Sequence, residues 1–101
     1  MEDLKKIVED IWDELDGAKH YAEMALKLRG ASGGHAQVYA DMSRQELTHY
    51  DRLVNMAHSH VEAHRESNPD HYRIMKTVWD WEWDKMSDKA AKITAMLSMV
   101  K

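Results

Sequence analysis

Residues 39–53, Tyr39-Ala40-Asp41-Met42-Ser43-Arg44-Gln45-Glu46-Leu47-Thr48-His49-Tyr50-Asp51-Arg52-Leu53 (YADMSRQELTHYDRL), decide how this chain is read. At intervals of three and four residues they carry two stripes. Tyr39, Met42, Glu46, His49 and Leu53 form one, and Ala40, Ser43, Leu47 and Tyr50 form the other. Both have the period of an α-helix, and no alternation of period two competes with them. The first stripe is apolar except for a carboxylate and an imidazole three residues apart, which share one helical face.

Outward from this stretch the first stripe continues through Met56, His60 and Ala63. The second runs from Ala36 to Val54, Ala57 and Val61, apolar or small throughout, and offers a continuous face for another helix. Turn signals stop the pattern on both sides. Gly30-Ala31-Ser32-Gly33-Gly34 precedes it and Ser67-Asn68-Pro69-Asp70 follows it. These breakers predict three long helices, over about residues 2–29, 35–65 and 70–100, with Asn68-Pro69 as cap and first-turn proline of the third. Gly17 interrupts the first helix at a cost of about 1 kcal/mol.

The first helix carries its own stripe: Leu4, Ile7, Ile11, Glu14, Ala18, Tyr21, Ala25 and Leu28, with Glu14 its one charged member. The third reads Tyr72, Met75, Trp79, Glu82, Met86, Ala90, Ile93, Leu97 and Val100, interrupted by Glu82. An all-α domain follows, a helical hairpin with a third helix. At 101 residues it is one domain with a modest core, which association with a second copy would enlarge.

Composition narrows the function. Apolar residues make up 44% and charged residues 32%, the balance of a folded protein. Net charge is -4 with scattered basic residues, so no basic footprint points to nucleic acid. Without cysteine there are no disulfides, thiolate metal sites or thiol nucleophiles. No apolar run resembles a signal peptide or a membrane span, so a soluble, cytoplasmic protein is expected. Gly33-Gly34 lies between helices with no strand before it, which removes a phosphate-binding loop.

A carboxylate carried inward on an apolar face needs neutralisation, a partner or a cation. Glu14, Glu46 and His49 stand at mid-height of two adjacent stripes, where they can share one. Carboxylate oxygen with imidazole nitrogen suits iron, manganese or zinc better than magnesium or calcium. A satisfied polar cluster, Glu14 paired with His49 inside a structural bundle, is the competing reading of the same residues.

Glu14 (in DELDGAKHYAEMAL) followed 32 residues later by Glu46-Leu47-Thr48-His49 resembles the ferritin-like di-iron carboxylate proteins. There, a Glu and a Glu-x-x-His come from each half of a four-helix bundle. The resemblance covers roughly Ile11 to Met56. It is nearest to half-length members such as encapsulated ferritins and the small ferritin-like proteins of bacterial and phage genomes. It implies that two hairpins dimerise into a four-helix bundle, with Glu14, Glu46 and His49 each supplied twice around a two-fold axis. In that arrangement Glu46 bridges two metals, His49 terminates each, and Glu14 completes the oxygen-rich shell. Tyr21 and Tyr39 are implied as near-site residues, and Glu82 is a further candidate for a supporting role or an extra ligand. Ferroxidase activity or oxygen or peroxide handling would follow; a non-enzymatic helical assembly or adaptor protein on the same scaffold is the alternative.

His58, His60 and His64 lie near Glu62 and Glu66 at a helix end and read as a solvated terminus, although His60 and His64 have chelating spacing. His20, His35 and His71 read as exposed or capping residues. Trp79, Trp81 and Trp83 recur at every second position, so they cannot share a helical face, and Trp81 or Trp83 is expected to meet another subunit or partner.

Overall fold

The computed structural model describes residues 1–100 and contains three α-helices: α1 (Glu2–Leu28), α2 (His35–Glu62) and α3 (Pro69–Ser98). No strand occurs among the described residues. The chain is elongated, 57 × 17 × 16 Å, because each helix is 27 to 30 residues long and runs most of its length. No helix is long and apolar enough to cross a membrane.

Local chemistry sets the helix ends. Glu2 and Asp3 in the first turn of α1, and Lys27 in its last, complement the helix dipole. The chain then leaves the helix through Arg29 in an extended conformation and Gly30 at φ 80°. Gly34, at φ 72°, is the N-cap of α2; this left-handed backbone excludes most side chains without any steric neighbour being involved. The regular part of α2 ends at Glu62, three residues before the expected end. His64 N–H donates to Val61 O and Arg65 N–H to Glu62 O, both 3.1 Å, so the chain tightens from i−4 to i−3 bonding there. Asn68 caps α3 by accepting from the His71 N–H at 3.3 Å, with Pro69 opening the helix as expected.

The α1/α2 hairpin is the most extensively packed pair. Small side chains line it: Ala18, Ala22 and Ala25 from α1, and Ala36, Ala40, Ser43 and Ala57 from α2, all buried. Their size lets the two backbones approach, and the Ser43 hydroxyl donates 2.7 Å to the Ala18 carbonyl across the interface. The larger residues Met75, Trp79, Met86, Ile93 and Leu97 of α3 close this core together with Leu4, Ile11 and Leu15. Trp79 is 1% exposed and its indole N–H donates 2.8 Å to His58 Nδ1.

Two expectations about the stripes are corrected. The core of a single chain uses the second stripe of α2, Ala36 to Val61, and that stripe faces α1 as well as α3, as the Ser43 bond shows. On α1 the buried line passes through Leu15 and Ala22 in place of Glu14 and Tyr21. The α2 stripe bearing Glu46 and His49, with Glu14 and Tyr21 of α1, is therefore the half-covered rim of the hairpin. Helix geometry says which rim. Trp12 and Asp16 of α1 reach α3, through Glu82 and Lys89. Glu14 lies two residues from each, about 200° around the helix, on the opposite side. α3 covers one side of the hairpin, and the Glu14 side stays open.

Candidate metal centre

Glu14, Glu46 and His49 come together on that open side. Each offers one donor atom such that all three lie within 4.8 Å of one another, the one such group of three or more ligand-type residues among the described residues. His49 Nδ1 stands 3.4 Å from Glu14 Oε2 and 4.0 Å from Glu46 Oε1. The side chains of Glu14 and Glu46 are 26% and 27% exposed, and that of His49 is 50% exposed. Among the described residues, His49 is the one Lys, Arg or His side chain within ion-pair reach of either carboxylate.

The register of the hairpin places them. Ser43 opposite Ala18 brings the turn of α2 that follows Ser43 alongside the turn of α1 that precedes Ala18. Gly17 completes the site, although its sequence reading showed only a cost. A Cβ built on Gly17 would lie 3.1 Å from Glu46 Oε2, 3.6 Å from its Cδ and 3.7 Å from its Cγ. The Glu46 carboxylate thus lies directly over the α1 backbone, in space that any other residue would partly fill. A lone glycine inside a helix, three residues after an acidic stripe member, was the available signal.

Two features mark the group as electrostatically unfinished. Glu14 Oε2 is buried and has no hydrogen-bond partner. The Glu46 carboxyl is held above its ordinary value first by the Glu14 carboxyl beside it, with which its protonated form can share a hydrogen bond, then by burial and by Glu14's charge; His49 pulls it partly back. Two carboxylates crowded together with one imidazole resist full ionisation unless a cation joins them. The donor set of two carboxylates and an imidazole, with one buried carboxylate oxygen lacking a hydrogen-bond partner, fits a divalent transition ion.

Tyr21 and Tyr39 form a tilted pair with ring centroids 6.2 Å apart. Each is seven residues from a glutamate of the cluster, two helical turns or about 10 Å along the same open face. Glu82 has its polar contacts elsewhere: it accepts from the Trp12 indole N–H at 3.0 Å and pairs with Lys85 at 3.4 Å, on the α3 side. Trp81 is 66% exposed with Lys85 Nζ 3.9 Å over its ring, while Trp83 packs its edge against His58.

No family model matches this chain, and no curated protein or solved structure shows significant similarity to it.

Proposed function

We propose that this chain is a ferritin-like metal-binding protein whose dinuclear centre, most simply iron, forms where two copies meet. The carrying observation is that Glu14, Glu46 and His49 converge on the side of the hairpin that α3 leaves open. One chain supplies three donors; two copies facing each other would supply four carboxylates and two imidazoles, the complement used by helical dinuclear sites. Tyr21 and Tyr39 and the half-buried Ile7 and Leu53 lie along the same stripes as the cluster and give a second copy apolar surface to cover. Manganese or zinc would satisfy the same donors.

In this reading Glu14 and Glu46 bind the cations and neutralise their charge, His49 adds a neutral nitrogen donor, and Gly17 keeps the Glu46 carboxylate against the hairpin. A second copy seals the face from water. The bound metal supplies redox chemistry, oxidation of ferrous iron or reaction with oxygen or peroxide, and the protein supplies geometry and exclusion of solvent.

A second reading has an observation in its favour. The 3.4 Å contact of His49 with Glu14 satisfies part of the charge without metal, as in a structural helical assembly or adaptor protein. Metal analysis separates the two. Protein purified after growth in iron is expected to carry about one metal per chain, lost in Glu46→Ala. Metal-free wild type, or equal metal in Glu46→Ala, favours the structural reading.

A further inference from the structure

The turn between α2 and α3 gathers a second set of donors, remote from the first. His60 lies in the last turn of α2, His64 in the turn that follows it, and His71 in the first turn of α3. The ring centroids of His60 and His64 are 5.3 Å apart and those of His64 and His71 are 5.6 Å apart, so His64 stands between the other two. All three side chains are half-buried. His71 was expected to be exposed or capping; its N–H does serve the Asn68 cap, but its ring turns back across the turn to His64.

Three local features prepare these imidazoles. His64 Nδ1 lies 3.0 Å from the His60 carbonyl. A carbonyl only accepts, so Nδ1 carries the proton and, in the neutral ring, Nε2 is the nitrogen left to bind a metal, the tautomer that metal-binding histidines take from a backbone carbonyl. His60 and His64 are four residues apart, the spacing at which two imidazoles can chelate one ion. The turn itself is closed between the donors: Asn68 N–H donates to His64 O at 3.0 Å, and Asn68 Oδ1 accepts from His71 N–H.

The neighbouring charges are engaged elsewhere. Glu62 accepts from the Tyr72 hydroxyl at 3.1 Å and pairs with Arg65 at 3.5 Å, and Arg65 lies 5.8 Å over the Tyr72 ring.

We infer that His60, His64 and His71 form a tri-imidazole site for a borderline divalent cation of the zinc type, one that fastens the start of α3 to the end of α2. With metal–nitrogen bonds of about 2.0–2.1 Å, two imidazoles on a tetrahedral ion have ring centres roughly 5 Å apart. The two observed separations, His60 to His64 and His64 to His71, are close to that. The rings sit edge to face, and their nitrogens spread wider than the donors at Glu14, so closure requires ring rotation, which half-exposed side chains allow. The consequence is mechanical. α2 and α3 pack less extensively on each other than either does on α1, and an ion bridging them adds its binding free energy to the attachment of α3. His60 is eleven residues from His49, about 16 Å along α2, so the two sites are independent.

The test uses Glu46→Ala protein, in which the first site is disabled, titrated calorimetrically with Zn²⁺ and spectroscopically with Co²⁺. One Zn²⁺ per chain should bind and raise the thermal midpoint, and bound Co²⁺ should show the intense visible absorption of a four-coordinate ion with three imidazole ligands. Adding His64→Gln should abolish binding. Adding His71→Ala should weaken it by at least about tenfold and remove the thermal shift. Unchanged circular dichroism in both variants establishes that they fold. Absence of Zn²⁺ binding in Glu46→Ala, or binding that His64→Gln leaves intact, overturns the site. Binding and a thermal shift that are indifferent to His71→Ala overturn the bridge to α3.

Discussion

Gly17 on α1 and Glu46 on α2 lie against each other so closely that a single added methyl group on Gly17 would stand 3.1 Å from the Glu46 carboxylate. The contact converts a helix-weakening residue into part of the site. Gly17→Ala should therefore split two properties. Alanine improves helix propensity by about 0.5–1 kcal/mol. The atom it meets is the far end of a flexible, half-exposed side chain, which can move aside. Denaturant unfolding of the metal-free variant should show equal or greater stability, by up to about 1 kcal/mol, while its metal content falls. A variant that binds as much metal as wild type would mean that Gly17 does not position Glu46.

The raised proton affinity of Glu46 gives a pH dependence of definite sign. Its carboxyl in the folded chain holds a proton above the ordinary value of 4.5, chiefly through the hydrogen bond with Glu14. The folded state thus binds the proton more tightly than the unfolded state. Its contribution to stability is full below the ordinary carboxylate range and is lost as pH rises through the raised value. In metal-free protein, Glu46→Gln should be more stable than wild type at neutral pH, and the advantage should shrink on acidification below the carboxylate range. Metal binding competes with that proton, so affinity should fall with pH over the same window. Paired unfolding curves at acid and neutral pH read the first effect directly.

The tryptophans of α3 should separate cleanly. Trp79 is buried among the helices and donates to His58, so Trp79→Ala should cost about 3–5 kcal/mol. Trp81 is largely exposed, and Trp81→Ala should change the stability of a single chain by about 0.5 kcal/mol or less. A large loss at Trp81 measured at high protein concentration, absent on dilution, would place that residue in a contact between copies.

Much of this architecture was legible before any coordinates. Three helices between two breaker clusters, the Asn68 cap and the opposed faces of Trp79 and Trp81 follow from local rules of period and turn chemistry. So does the grouping of Glu14, Glu46 and His49 on two stripes. The choice between the two stripes of α2 was not legible. Both are helical in period, and which one faces inward is a tertiary fact decided by the fit of Ala18, Ala22 and Ala25 of α1 against Ala36, Ala40 and Ser43 of α2. The early end of α2 at Glu62 reflects i−3 bonding in a turn that residue types alone do not mark. The roles of Gly17 and His71 are contacts between elements, and Glu82 looked like a stripe member because Trp12, its partner, lies 70 residues away in the chain.

The claim on which the functional account rests is that two chains close around cations held by Glu14, Glu46 and His49. Native mass spectrometry of the protein after anaerobic loading with ferrous iron addresses it most directly, because mass reports chains and metals together. Species of two chains, or multiples of two, carrying two irons per pair are expected, with both iron and pairing diminished in His49→Ala. A single chain without iron, or a dimer whose iron is untouched by that substitution, would contradict it.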